Sequence, residues 1–84
     1  MALRTQTQQI RYAVNKILGH DNFGVTFWSS TEIFNVKIFI STEMSLNEIN
    51  SIYLWFDTNC CFTHFKILAK IVNNKAYTIL EFIR

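Results

Sequence analysis

Apolar residues at Ile10, Val14, Ile17 and Leu18, with Ala13 beside them, repeat at helical spacing and predict a first helix over residues 5–18. Thr5 and Gln8 have the spacing of a capping box. Gly19 stands where a left-handed stop is wanted. The period then changes to two. Phe23, Val25 and Phe27 alternate with Gly24, Thr26 and Trp28, which predicts a strand over 23–29. A second strand over 34–40 puts Phe34, Val36, Ile38 and Ile40 on one face and Asn35, Lys37 and Phe39 on the other. With Ser30 and Thr31 as a two-residue loop, the hairpin pairs Phe27 with Phe34, Val25 with Val36 and Phe23 with Ile38. Every core position then meets another.

The second helix has the clearest start. Ser45 and Glu48 fit a capping box, and Met44 and Ile49 occupy the positions of a hydrophobic staple. Ile49, Ile52, Tyr53 and Phe56 form its apolar stripe, with Leu46 at the edge, Trp55 on the flank, Leu54 pointing away and Asn59 as the stop. Strands over 62–72 and 76–84 follow, joined at Asn73-Asn74, a pair suited to a type I′ turn because Asn tolerates positive φ. That turn pairs Phe65 with Phe82 and Ile67 with Leu80. On the opposite face it pairs Lys66 with Glu81, a cross-strand pair of opposite charge. The expected fold is one α+β domain over residues 1–84, a two-layer sandwich in the order α-β-β-α-β-β. Its sheet is four-stranded and antiparallel-rich, with both helices on one face. Strand order is left open by the pattern.

Composition narrows the function classes. Half the residues are apolar and 17% are charged, which excludes a disordered tail. Proline is absent and glycine occurs twice, so no linker divides the chain. The polar residues 1–9 do not resemble a secretory signal, and the apolar run 52–56 is far too short to span a bilayer. A cytoplasmic location with reduced thiols is the expectation. The net charge of +2 is mild for a dedicated DNA binder. Ile, Asn, Phe, Lys and Tyr, all with AT-rich codons, are prominent. Size, element order and this bias are compatible with the small accessory proteins that phages use to inhibit host factors, anti-defence proteins among them. That analogy transfers no site residues and names no target.

Candidate chemistry is sparse. Adjacent Cys60 and Cys61 cannot both point at one metal ion without distortion, and with His64 they would need distant His20 as a fourth ligand. Cys61, His64 and Asp57 could be drawn as a catalytic set, but no nucleophile elbow or glycine-rich loop supports it. The reading is therefore a non-enzymatic protein with no cofactor and no metal. The informative feature is the sheet face away from the helices. It is predicted to carry Trp28, Ile33, Phe39, Leu68, Tyr77, Ile79 and Ile83 together with Lys37, His64, Lys66, Lys70 and Glu81. So large an apolar patch points to a binding surface. Trp28, Phe39, Leu68, Tyr77 and Ile79 are its expected anchors, and Lys37, Lys66 and Lys70 are expected to set orientation. The partner is expected to be a protein or a second copy in a homodimer. The alternative is single-stranded nucleic acid, bound through aromatics and lysines on the same face. The aliphatic share of the patch favours protein.

Overall fold

The computed structural model describes residues 6–84. Helix α1 (Gln6–Leu18) leads into β1 (Phe23–Ser29) and β2 (Phe34–Ile40). Helix α2 (Leu46–Asn59) then precedes β3 (His64–Val72) and β4 (Lys75–Ile83). The strands form one antiparallel sheet in the order β1-β2-β4-β3. Two local hairpins lie side by side, with the last strand of each at the centre.

Local chemistry sets the element ends. Gly19 has φ 79 and donates its N–H to Asn15 O at 2.7 Å, which stops α1 in the left-handed conformation that glycine adopts without strain. Thr5, the expected cap at the other end, lies outside the described residues. Both halves of the α2 capping box are present. Glu48 N donates to Ser45 Oγ at 3.1 Å, and Ser45 N donates to Glu48 Oε1 at 2.8 Å. Met44 and Ile49, at the two staple positions, both pack against the core. Asn73 and Asn74 have φ 51 and 63, the signature of the type I′ turn. That turn fixes Phe65 opposite Phe82, Lys66 opposite Glu81 and Ile67 opposite Leu80.

The first hairpin differs from its predicted register. Phe27 faces Val36, Val25 faces Ile38 and Phe23 faces Ile40, a shift of two residues. The connection is four residues long, 30–33, closed by Ser30 N donating to Ile33 O at 2.9 Å. A two-residue Ser30-Thr31 loop would need positive φ at Ser30 in a type II′ turn, where glycine is preferred, and at Thr31 as well in a type I′ turn, which a β-branched residue resists. A shift of two keeps every side chain on its own face, so the hydrophobic pattern could not distinguish the two registers. Ile33 moves out of the sheet face and into this loop. β3 starts at His64, two residues later than expected. Phe62 instead packs from the preceding loop onto Tyr53 and Phe82.

The core lies between helices and sheet. Ile10 and Val14 of α1 and Ile52 and Phe56 of α2 join one buried cluster with Val36, Ile38, Ile40, Leu80 and Phe82. Those strand residues share one side of the sheet by register, so both helices cover the same face. The Phe56 ring stacks on Phe82, with centroids 3.9 Å apart and planes 12° from parallel. Phe62 and Phe65 close around Phe82 at 5.1 and 4.8 Å. The Arg11 guanidinium lies 5.1 Å from the Phe23 ring centroid and ties α1 to β1.

Candidate functional site

The sheet face opposite the helices is built from alternate residues of all four strands. Its cross-strand rows run Trp28–Asn35–Ile83–His64, Thr26–Lys37–Glu81–Lys66 and Gly24–Phe39–Ile79–Leu68, with Tyr77 opposite Lys70 beyond them. All eight expected contact residues therefore lie on this face.

Their accessibility divides them. Trp28 (57% exposed) and Leu68 (42%) stand open to solvent, as do Lys66 and Lys70. Phe39, Tyr77 and Lys37 are half-buried. Ile79, at 4%, is covered by its row neighbours and forms the floor of the patch rather than a projecting anchor. Period two cannot show this, because central-strand residues are covered by long side chains on both flanks.

Sequence reasoning undervalued two further groups. Glu81 is only 8% exposed although it lies on the open face. Asn35 Nδ2 donates to Glu81 Oε2 at 2.7 Å, and Lys37 and Lys66 flank it in register. Gly24, in the alternation only a position between Phe23 and Val25, is the second. It lies in the floor of an open depression of ≈ 840 Å³ over the β1 start and β2 end, lined also by Phe39, Tyr77, Val72 and Lys75 among others. Lys75 Nζ sits 5.7 Å from the Tyr77 ring centroid, at the rim. The available signal was a glycine inside a strand, which often marks close approach of another group.

The electrostatics of this face are one-sided. Lys37, Lys66, Lys70 and Lys75 frame it, and among the described strand positions of the face Glu81 is the one acid. Its carboxylate accepts from Asn35 along the face and is 8% exposed, so four lysines against this one covered acid leave the face with a positive balance.

The thiols and His20 lie elsewhere, and His64 sits at the end of the face. Cys60 caps α2 and is half-buried, whereas Cys61 is exposed. Burial, and secondarily the neighbouring Cys61, pushes the Cys60 thiol above its ordinary pKa. His20 Nδ1 accepts from Asn22 N at 3.0 Å, and its Nε2 lies 3.3 Å from Thr42 Oγ1, so this ring organises the α1–β1 turn. His64 Nδ1 contacts Thr63 Oγ1 at 3.0 Å. Among the described residues no group of three His, Cys, Asp or Glu side chains converges on one point. No described helix is long and apolar enough to cross a membrane.

Comparison of this chain with protein-family models, with curated proteins and with solved structures found no match.

Proposed function

We propose that this is a protein-binding module of the accessory or inhibitor type that works through the outer sheet face, without enzymatic chemistry. The observation that carries the reading is the face itself: a depression lined by Phe39 and Tyr77 at one end, exposed Leu68 in the same cross-strand row as Phe39, exposed Trp28 at the other end, and four lysines between and around them. Aromatic residues that line a pocket or stand exposed on the same face are the usual anchors of protein interfaces. The matching partner has an apolar projection to enter the depression and an acidic rim to meet the lysines. Stacking two copies of this face would place lysines against lysines with the Glu81 carboxylate already engaged. The face therefore suits a different protein better than a second copy of itself.

The test combines capture with footprinting. Proteins retained from host extract by the parent are compared with those retained by Leu68→Asp on the outer face and Leu54→Asp on the helix side. The retained protein is then purified, and side-chain oxidation is mapped in the complex. Loss with Leu68→Asp alone, together with protection of Trp28 and Tyr77, is the expected result. Protection confined to α1 and α2 would overturn the proposal. So would tight oligonucleotide binding whose salt dependence becomes shallower in Lys66→Ala/Lys70→Ala, which would mark a nucleic-acid platform instead.

A further inference from the structure

The helix layer stops short of β3. Residues 66–72 are exposed on both sides of the sheet. Ile67 (53%) and Ile71 (75%) stand open on the helix side, and Leu68 and Val72 on the other. β3 is also an edge strand, paired with β4 alone. The two-residue turn makes Val72 and Lys75 a hydrogen-bonded pair. Alternation along the ladder then leaves the N–H and C=O groups of Phe65, Ile67, Ala69 and Ile71 directed away from β4. Natural edges are usually shortened, bulged or covered. This one is nine residues long. Its lysines, Lys66 and Lys70, both lie on the outer face, so the helix-side face of residues 67–71 carries no charge.

We infer that β3 pairs antiparallel with β3 of a second copy, with the two-fold axis at Ala69, to give one continuous eight-stranded sheet. This goes beyond the outer-face binding proposed above and does not depend on it. The occupant and register follow from the sequence of the strand, which is self-complementary about Ala69. Ile67 then lies opposite Ile71 of the other copy, so four isoleucines close over the Ala69 pair on the uncovered side. On the outer side Lys66 faces Val72 and Lys70 faces Leu68, each lysine laying its aliphatic stem on an apolar partner. Moving the axis one residue to Leu68 sets Lys66 against Lys70. Moving it to Lys70 sets that residue against itself. Like charges directly opposite disfavour both. Moving the axis to Ile67 sets His64 against Lys70 and leaves Ile71 without its isoleucine partner.

Because the axis is perpendicular to the sheet, all helices fall on one side and the two outer faces merge on the other. The dimer therefore presents two depressions on one surface and leaves both available to the partner.

The inference is tested in a Cys60→Ser/Cys61→Ser background. Ala69→Cys places two thiols directly opposite across the axis, about 5.5 Å apart at Cα, within disulfide range. It is expected to oxidise to a covalent dimer faster than Leu68→Cys by about tenfold, since Leu68 is opposite Lys70 rather than itself. Faster linking through Leu68→Cys overturns the edge pairing in favour of stacked faces. Sedimentation is expected to show the 9.9 kDa chain moving to twice that mass across tens to hundreds of micromolar. A monomer throughout overturns the inference, while binding of a partner to the outer face is read separately in the footprint. Ala69→Pro removes an outward N–H without touching the β4 ladder. It is expected to keep the parent's circular dichroism and weaken dimerisation by about tenfold or more. Persistent dimers in that variant would likewise overturn the inference; should it not fold, the cross-linking rates decide.

Discussion

Replacing Phe82 by alanine removes the ring about which the second half of the fold is assembled. Phe82 is fully buried, stacked on Phe56 and enclosed by Phe62 and Phe65. Burying a phenylalanine removes about 150–250 Å² from water. At about 25 cal/mol per Å² that corresponds to roughly 4–6 kcal/mol, of which the alanine methyl retains a small part. The expected loss is therefore about 3–5 kcal/mol, in the range of buried Phe→Ala changes. A chain of this length has a total stability of about 4–13 kcal/mol, so the variant stands near its unfolding threshold at ambient temperature. Urea unfolding followed by tryptophan fluorescence gives the magnitude, and thermal scans should show a fall on the order of 20 °C. Phe82→Leu keeps most of the volume but loses the stacking, and should cost only about 1–1.5 kcal/mol. An alanine variant within about 1 kcal/mol of the parent would refute the packing argument, because an uncollapsed cavity at that position cannot be so inexpensive.

Ser45→Ala should cost about 1 kcal/mol in the same assay, since Glu48 N–H loses its cap; an unchanged midpoint would deny the capping box. Gly24→Val should raise stability by about 0.5–1 kcal/mol, because a Cβ there meets nothing closer than Phe39 Cβ at 4.0 Å. The same variant raises the floor of the depression, so it should weaken partner binding, and undiminished binding would remove the depression from the interface. The raised Cys60 pKa means that the folded state holds this proton more tightly than the unfolded chain. Its contribution is fully present below the unfolded thiol pKa and is lost as pH rises through the folded value. Cys60→Ala should flatten that alkaline decline, and iodoacetamide should label Cys61 before Cys60. A decline of the same steepness in the variant would assign it to other groups.

What the sequence made legible followed from chemistry that is local in the chain. Ser45-Glu48, Gly19 and Asn73-Asn74 each specify a backbone geometry through their own side chains or the lack of one, and each stands where the pattern put it. The register of the second hairpin was legible because the turn and the Lys66–Glu81 charges agree. The first hairpin offered only alternation, which is degenerate under a shift of two. Strand order could not be read, because the pattern is the same for a strand at the centre or the edge. That order makes Ile79 a floor and leaves Ile67 and Ile71 uncovered, so the most consequential surface, the open edge of β3, was invisible until β4 was placed inside it.

The central β2–β4 seam also dictates the order in which the molecule can assemble. Each hairpin closes over a handful of residues, on a timescale of about 1–10 μs in isolation. Joining them brings Ile38 to Leu80, about forty residues away, and the entropy of closing that loop is spent before any core contact across the seam is made. The seam is thus expected to be the rate-limiting event. Ile38→Val should slow refolding in stopped-flow experiments, whereas Ser45→Ala should act mainly by speeding unfolding. Until the seam closes, the second hairpin is a free ribbon with two open edges, and β4 is then as available to a neighbouring chain as β3. Dilute refolding should accordingly give higher yields than concentrated refolding, because the β2 strand that belongs against β4 competes there with strands from other molecules.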